Sequence, residues 1–446
     1  MTKKRYKFID LFAGLGGFHK ALEDLGCECV FASELKEDLQ KLYSINFPNT
    51  WIEGDITQVF PFEIPAHDIL CAGFPCQPFS QAGKRLGFKD DKYRGNLFNY
   101  ICDILAFHKP TYVLLENVAN LKGHDKGNTW HVIETRLKNL NYDVRAEILS
   151  PHQFGIPQHR KRIYIVCKRI EEGGLSDFEF PIGTKSKQCN IKDIIDKNPD
   201  ISEITPLRQE SREQLKVWSE FLKGITQHNE QLPSFPIWAM EFGATYDYKD
   251  NAPAYQSVEE LNGKRGKLGH VITGNTLGEC LSQLPNYAQT KKSTSFPDWK
   301  KRYIELNREL YNKNKSWLDK WLLKVQDYEN SHLKLEWNCG KNEYAIIEDK
   351  IIQFRASGIR VKLPTYSPAL NLVGTQIPIF PWVEIPNSKE KGRYMTIKEA
   401  ATLQGMQDLT FGNSEFQLST SRCYEALGNA VNVNIVSLIA RKLIKK

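Results

Sequence analysis

The chain has 446 residues, of which 41% are hydrophobic and 25% charged, and its formal net charge is +7. This globular composition excludes a wholly disordered chain, a collagen-like fibre and a coiled coil. A membrane span is excluded because no run of eighteen apolar residues occurs, and no apolar segment follows the basic N-terminus as a secretory signal would require. Ten cysteines in so long a chain indicate reduced thiols in a cytoplasmic protein, and the basic balance is compatible with a polyanionic partner.

The first 168 residues alternate between short apolar runs and segments with helical spacing. Strands are predicted at 7–12, 29–32, 68–72, 111–115, 142–149 and 162–167. Helices are predicted at 18–25, 96–107 and 129–140. Strand–helix alternation with apolar strands predicts a doubly wound, mostly parallel α/β sheet that is covered on both faces.

The pattern changes after about residue 170, near Gly173 and Gly174. Between 171 and 390 the alternation is irregular, but large rings suggest that this stretch has its own small core. Six tryptophans of this stretch are predicted to be core residues in preference to a base-stacking platform. They are Trp218, Trp238, Trp299, Trp317, Trp321 and Trp337. Apolar residues from Leu306 to Val325 recur at steps of four or seven and predict one long amphipathic helix. Helices are also predicted at 396–403, with Thr396 as its cap, and at 431–443.

A glycine-rich turn follows the first predicted strand, in the sequence F-A-G-L-G-G-F from Phe12 to Phe18. Glycines at a strand-to-helix turn let the backbone approach a ligand closely, although a tight turn alone would also use them. Glu34 ends the second strand, where a carboxylate can accept from two ribose hydroxyls. Asp55 ends the next apolar stretch and could accept from an adenine amino group. Either carboxylate alone could belong to a solvated loop, but Glu34 and Asp55 together, in this order, predict an adenosine pocket.

Cys76 lies just after a predicted strand, in G-F-P-C-Q-P-F-S-Q-A-G from Gly73 to Gly83. Helix amides at such a position can lower the pKa of a thiol, whereas a lone cysteine is more often a buried structural residue. Cys71 and Cys76 make a poor metal site because no second ligand pair stands at the required spacing. The polar segment 77–94 is interpreted as a mobile lid over the thiol.

Glu116 ends an apolar strand in L-L-E-N-V and is expected at the same sheet edge as Cys76. A thiolate beside a carboxylic acid suits addition to a heterocycle, because the thiol can attack carbon while the acid supplies a proton to ring nitrogen. Arg160 and Arg162, in Q-H-R-K-R, alternate and could hold a carboxylate or a carbonyl oxygen, or could be an ordinary surface pair.

These motifs, in this order, resemble the DNA (cytosine-5) methyltransferases, in particular the compact bacterial restriction–modification enzymes. The resemblance runs over residues 7–168 and resumes at 393–404 and 427–431. It implies that the S-adenosyl-L-methionine pocket is formed by Phe12, Gly14, Leu15, Gly17, Glu34, Asp55, Ile56, Pro75, Asn429 and Val431. It further implies that Cys76 is the nucleophile, that Glu116 is the acid, and that Arg160 and Arg162 assist them. Phe74, Asn117 and Val118 are expected to contact the substrate.

The resemblance implies a doubly wound, Rossmann-like methyltransferase domain over 1–170, completed by a C-terminal helix at 421–446. A smaller, irregular target recognition domain is expected over 171–420, with 391–420 as its return segment. Arg355 and Arg360 are its best candidates for contacts with guanine, and phosphate contacts or plain surface are equally open. Double-stranded DNA is the implied substrate, no metal is implied, and the enzyme is expected to be a monomer in the bacterial cytoplasm, with a separate restriction endonuclease as a possible partner.

The same residues also argue against other classes of protein. The tRNA-methylating branch of the family shares the catalytic residues but lacks the long recognition segment in this form. Adenine and N4-cytosine methyltransferases need an Asn/Asp-Pro-Pro-aromatic tetrad, which the chain does not contain. A nucleotide-dependent oxidoreductase has no use for Cys76 together with Glu116, and a binding-only protein would not need them intact.

Overall fold

The computed structural model describes residues 5–75, 97–184, 189–228, 231–341, 343–370 and 376–444. The chain divides into two compact units. Unit 1 comprises Met1–Lys197, Thr365–Gly374 and Thr396–Lys446, and unit 2 comprises Asn198–Pro364 and Thr375–Met395.

Unit 1 is built on a seven-stranded sheet with the order β3-β2-β1-β4-β5-β8-β6. The strands of unit 1 are β1 (Lys7–Leu11), β2 (Glu28–Ser33), β3 (Ile52–Glu53), β4 (Ile69–Gly73), β5 (Tyr112–Val118), β6 (Tyr142–Leu149), β7 (Gln158–His159), β8 (Arg162–Arg169) and β13 (Ser367–Pro368). β7 and β13 form a separate parallel pair. Strands β3, β2, β1, β4 and β5 run parallel, and β8 is antiparallel to both of its neighbours. The prediction of a doubly wound, mostly parallel sheet is confirmed.

The helices of unit 1 are α1 (Gly17–Glu23), α2 (Glu37–Asn46), α3 (Leu97–His108), α4 (Asn128–Asn139), α9 (Ile397–Gln404), α10 (Thr420–Asn429) and α11 (Val433–Leu443). The central strands are fully buried, with Ile9, Leu70 and Val113 at 0% exposure, because helices cover the sheet. Thr396 caps α9 as predicted: it exchanges hydrogen bonds with Glu399 through both backbone amides.

Parallel strands deliver their carboxyl ends to one edge of the sheet, and this edge positions the site. Glu34 follows β2, Phe74 follows β4, and Glu116 lies near the end of β5. Because β8 is antiparallel to β5, its first residue, Arg162, pairs with Val118 at the same edge. The distant motifs of the sequence therefore converge there.

Unit 2 contains a six-stranded sheet with the order β15-β14-β11-β12-β10-β9. Its strands are β9 (Ile237–Trp238), β10 (Lys334–Asn338), β11 (Ile351–Arg355), β12 (Gly358–Lys362), β14 (Ile379–Glu384) and β15 (Lys391–Tyr394). Its helices are α5 (Gln209–Gln227), α6 (Val258–Leu261), α7 (Leu277–Ser282) and α8 (Asp298–Leu322). The long helix predicted from Leu306 to Val325 is α8. Trp218, Trp238, Trp321 and Trp337 are core residues as predicted, whereas Trp299 is 56% exposed.

The second domain was expected at 171–420, and unit 2 has narrower bounds. Residues 171–197 and 396–420 belong to unit 1. The reason is local packing: the backbone amide of Asp196 donates to the carboxylate of Glu399, and Lys398 pairs with Asp196 at 3.0 Å. The expected single helix at 421–446 is two helices, α10 and α11, separated at Ala430.

Candidate active site

A cavity of about 420 Å³ lies at the carboxyl edge of the unit 1 sheet. Eleven of the predicted site residues line it: Phe12, Gly14, Glu34, Asp55, Ile56, Phe74, Pro75, Glu116, Asn117, Val118 and Arg162, and they are joined by Asn429 and Val431 from the C-terminal segment. The structure thus brings together residues that are more than four hundred positions apart in the chain.

The glycine-rich turn forms one wall of the cavity in an unusual backbone conformation. Phe12 and Gly14 have φ angles of 57° and 54°, in the left-handed region that favours glycine. Leu15 and Gly17 follow the residues of the turn that line the cavity, and their contact with a cofactor stays a prediction. Leu15 is buried, and a Cβ on Gly17 would stand 2.5 Å from the carbonyl oxygen of Val431. Gly17 is therefore needed for the close approach of the Val431 segment.

The Glu34 carboxylate is fixed at the cavity wall by two backbone amides. Its Oε2 accepts from the amide of Gly14 at 2.9 Å, and its Oε1 accepts from the amide of Lys36 at 3.0 Å. A carboxylate oxygen has two lone pairs, so each oxygen retains capacity for a hydroxyl donor. This arrangement couples the Glu34 carboxylate to the glycine turn.

Asp55 and Ile56 form the next part of the wall. The Asp55 side chain accepts from the amide of Thr57 at 2.9 Å and so caps a short 3₁₀ turn. Ile56 is 4% exposed and presents an apolar surface beside this carboxylate. A flat heterocycle with an amino group suits such a combination of apolar and acceptor groups.

Glu116 and Arg162 form a buried ion pair inside the cavity. Arg162 Nε lies 3.0 Å from Glu116 Oε1, and Glu116 is 6% exposed. Burial raises the pKa of Glu116 above its ordinary value, while the charges of Arg162 and Arg160 oppose the rise. A carboxyl group in this setting can hold a proton at a higher pH than one in water.

The side chain of Asn117 fixes the backbone that leads to Cys76. Its amide donates to the carbonyl oxygen of Phe74 at 2.8 Å, and its own oxygen accepts from the amide of Val118 at 2.8 Å. Asn117 is buried, so it acts on the Phe74–Pro75 backbone more than on a ligand. Cys76 and the expected lid at 77–94 lie outside the described residues.

Of the groups that Arg160 was expected to hold, a carboxylate or a carbonyl oxygen, the structure shows carbonyl oxygens. It is 2% exposed, and its Nη1 and Nη2 donate to the carbonyl oxygens of Gly428 and Ala430 at 2.7 and 2.8 Å. Burial and Arg162 lower the pKa of Arg160 to about 10, so the group is still cationic at neutral pH. The guanidinium therefore positions the backbone on both sides of Asn429 instead of hydrogen-bonding to Glu116.

A chain of ion pairs, which no sequence pattern indicated, ties α10 to α2 beside the cavity. Arg422 contacts Asp38 through Nε at 2.5 Å and Nη2 at 3.0 Å. Arg422 also pairs with Glu425 at 2.7 Å, and Glu425 pairs with Lys36 at 3.2 Å. We call this group, Lys36, Asp38, Arg422 and Glu425, the α2–α10 clamp. Because the paired residues are almost four hundred positions apart, no local sequence pattern could predict these ion pairs.

The two arginines proposed as base readers lie in unit 2 and share one carboxylate. Arg355 Nη2 is 2.6 Å from Glu336 Oε1, and Arg360 Nε is 3.2 Å from Glu336 Oε2. The Arg355 side chain is 9% exposed and that of Arg360 31%. Their role in reading guanine stays a prediction.

Two further observations concern only the part of the chain that the structure describes. No cluster of three or more His, Cys, Asp or Glu side chains there has a metal-binding arrangement. Among the helices it describes, none is both long enough and apolar enough to cross a membrane.

The strand order and the acidic cavity at the strand ends define a Rossmann-like methyltransferase domain. Residues 6–445 match the family described as C-5 cytosine-specific DNA methylase, and the chain belongs to this family.

Individual relatives are consistent with this assignment. The chain is 44% identical over 216 residues to the type II methyltransferase M.HhaI of Haemophilus parahaemolyticus, a match covering 45% of this chain and 65% of the relative. It is 44% identical over 265 residues to the type II methyltransferase M1.ScrFI of Lactococcus lactis subsp. cremoris, covering 58% and 64%. The matched stretches thus span less than two thirds of these relatives. A solved chain encoded within an E. coli prophage, described as a putative DNA modification methyltransferase, has the same fold, with a TM-score of 0.52, 17% identity and 98% coverage of both chains.

Proposed function

We propose that the chain is a DNA (cytosine-5-)-methyltransferase that transfers a methyl group from S-adenosyl-L-methionine to C5 of cytosine in a specific duplex sequence. The observation that carries the proposal is the Glu116–Arg162 pair, which lies in one cavity with Glu34 and next to the Pro75 backbone that leads to Cys76. A nucleoside site and an acid for a heterocycle share this cavity.

The residues of the cavity fit S-adenosylmethionine. Glu34 would accept from the ribose hydroxyls, Asp55 and Ile56 would hold the adenine, and Phe12, Gly14, Pro75, Asn429 and Val431 would enclose the rest. The bound cofactor would supply the electrophilic methyl group. Gly17 and Arg160 would act indirectly, by fixing the Val431 and Asn429 segment.

The chemistry assigned to the chain's own groups follows from the poor nucleophilicity of cytosine C5. The Cys76 thiolate would add to C6 while protonated Glu116 gives its proton to N3, and the electrons of the ring then make C5 nucleophilic. After methylation a base removes the C5 proton, the C5–C6 double bond re-forms as Cys76 leaves as thiolate, and N3 returns its proton to Glu116. Arg162 would hold the cytosine O2 and keep the Glu116 carboxyl in place.

A ring edge inside a duplex cannot reach a thiol in a pocket, so the cytosine must be flipped out of the helix. Phe74, Asn117 and Val118 would border the flipped base, and unit 2 would act as the target recognition domain. We further propose that the enzyme protects host DNA from a restriction endonuclease that acts independently. It would act as a monomer in the bacterial cytoplasm.

Bisulfite sequencing of plasmid DNA from cells that express the chain tests the activity directly. We expect 5-methylcytosine at one sequence context. Purified protein is also offered duplex DNA and tRNA with labelled S-adenosylmethionine, and methylation of tRNA alone would instead assign the chain to the tRNA-methylating branch.

Cys76→Ala should abolish methyl transfer and leave DNA binding, because the thiol forms the covalent bond but few of the contacts. Duplex DNA with 5-fluorocytosine at the target should trap a covalent complex with wild type, since fluorine cannot leave as a cation. Turnover of the alanine variant above trace level would show that another group is the nucleophile.

A further inference from the structure

Unit 2 contains a cleft of about 820 Å³ with a strongly positive wall. Four lysines from separate segments line it, Lys267, Lys292, Lys300 and Lys334, together with one carboxylate, that of Glu329. We call these residues the lysine cleft. Its net charge is three positive, and among the residues that the structure describes no ion pair joins any of the four lysines to a carboxylate.

Two of these ammonium groups lie beside the same aromatic ring. Lys300 Nζ lies 5.1 Å from the ring centre of Tyr287 and 4.7 Å from that of Phe296. Lys334 Nζ lies 5.9 Å from the same Tyr287 ring. Burial lowers the pKa of both lysines, and the charge of Lys300 adds to the effect at Lys334. Two like charges beside one ring repel each other, and an anion placed between them would relieve that repulsion.

The start of a helix also borders the cleft, and its first turn carries the carboxylate of Asp298, so the positive charge of this wall rests on the lysines. α8 begins at Asp298 after Pro297, which makes no side-chain capping bond, and Pro297 and Lys300 both line the cleft. The first amides of a helix and its macrodipole favour anions, and phosphates are bound in this way.

The β11–β12 hairpin borders the same cleft but offers little free charge. Ala356, at the turn of this hairpin, lines the cleft. The flanking Arg355 and Arg360 share the Glu336 carboxylate, which neutralises half of their charge. The uncompensated charge of this region therefore lies on the four lysines.

We propose that the lysine cleft binds backbone phosphates of duplex DNA and anchors unit 2 to its substrate independently of base sequence. Lysine is a flexible point charge suited to phosphates, whereas bidentate reading of guanine favours arginine. Four ammonium groups from four segments match a run of phosphates better than a single ion. The inference rests on the proposed function, since it takes duplex DNA as the substrate.

The test measures the salt dependence of DNA binding by full-length protein. Lys300→Gln, Lys334→Gln and the double variant are compared with Lys320→Gln, which removes an exposed charge near the other end of α8. Two duplexes of unrelated sequence are titrated between 50 and 200 mM salt. Each single variant should lower the slope of log affinity against log salt by about 0.9 and the double variant by about 1.8, so that wild-type affinity falls about 3.5-fold more per lysine over this range. Both duplexes should be affected equally, and the control should match wild type.

Separate outcomes decide separate claims. Wild type that neither binds duplex DNA nor methylates it contradicts the proposed function. If wild type methylates DNA but the cleft variants keep the wild-type salt slope, the DNA-binding role of the lysine cleft is contradicted and the proposed function is not. A loss of affinity for only one of the two duplexes contradicts that role as well. Thermal midpoint and cofactor affinity report on folding. If Lys300→Gln or Lys334→Gln fails to fold, Lys292→Gln, which removes an exposed side chain, decides by the same slope.

Discussion

At the scale of single residues, Glu116 shows how burial and a charged neighbour share control of one proton. Burial favours the neutral acid, and Arg162 at 3.0 Å favours the carboxylate. The net effect is a raised pKa, so the neutral acid persists to higher pH than in an exposed glutamate. Tyr164, which pairs with Glu116 across β5 and β8, is buried beside it and excludes water from this side.

Glu116→Gln should lower the rate of methyl transfer roughly 10²–10⁴-fold, because glutamine fills the space but cannot give a proton to cytosine N3. Wild-type turnover should fall as pH rises through the raised pKa of Glu116, since the acid is then ionised. The glutamine variant should lack this alkaline limb. Turnover is measured under saturating DNA and cofactor from pH 5 to 9, with cofactor affinity as the control, and an unchanged limb in the variant would assign it to another group.

The two arginines show what the sequence can and cannot reveal at this scale. Arg162 was predicted to be at the site because it alternates with Arg160 at the entry to a strand, and its pair with Glu116 is observed. The partners of Arg160 are carbonyl oxygens 268 and 270 positions further along the chain. No periodicity or spacing encodes such a contact, because it depends on where α10 ends in the folded unit.

At the scale of elements, the α2–α10 clamp holds together two helices that frame the cavity of unit 1. Lys36 also lines this cavity, and its backbone amide donates to Glu34, so the clamp and the Glu34 carboxylate form one continuous network. Ala426, Asn429 and Val431 on or after α10 form the facing wall. Movement of α10 would therefore change the shape of the cavity.

Arg422→Gln should weaken S-adenosylmethionine binding about threefold to tenfold, as expected for a loss of roughly 0.7–1.4 kcal/mol from a partly exposed network. Calorimetric titration of the cofactor measures the effect. Lys138→Gln breaks an exposed i,i+4 pair with Glu134 on α4 and serves as the matched control. Equal affinities in the two variants would mean that α10 keeps its position without the clamp.

The elements of unit 1 were far easier to predict than those of unit 2. Strands such as β4 and β5 are continuous apolar runs that pair with parallel neighbours, so local pattern and fold agree. α2 and the two-residue β3 were not predicted, because α2 has few apolar positions and β3 is too short to show a period. The unit 2 sheet joins β10 to β12 in parallel and β9 to β10 across almost a hundred residues. Such pairings are set by tertiary packing.

At the scale of the whole molecule, a neutral buried histidine links stability to pH. His19 is 3% exposed, stacks on Phe47 at 3.8 Å between ring centres, and its Nδ1 lies 2.5 Å from the Tyr43 hydroxyl. Burial lowers its pKa from 6.5 to about 4. Protonation therefore favours the unfolded chain, and the stability is present in full above pH 6.5 and is lost as pH falls towards 4.

His19→Phe keeps the stacking but removes the titration, so its unfolding free energy should fall less steeply than that of wild type between pH 6.5 and 4. The difference should approach about 3 kcal/mol at the acid end of this window. Urea unfolding at several pH values measures it. His131→Gln, which changes an exposed residue on α4, should follow wild type, and parallel curves for all three proteins would exclude His19 as the source.

The discontinuity of unit 1 has a consequence for biosynthesis. A ribosome makes the glycine turn and Glu34 first, but the facing wall, with Asn429 and Val431, is translated only after all of unit 2. Arg160 likewise waits for Gly428 and Ala430 before its guanidinium has those acceptors. The nascent polypeptide therefore cannot enclose its methyl donor until translation has passed residue 431, so that cofactor capture comes late and reports that the catalytic unit is complete.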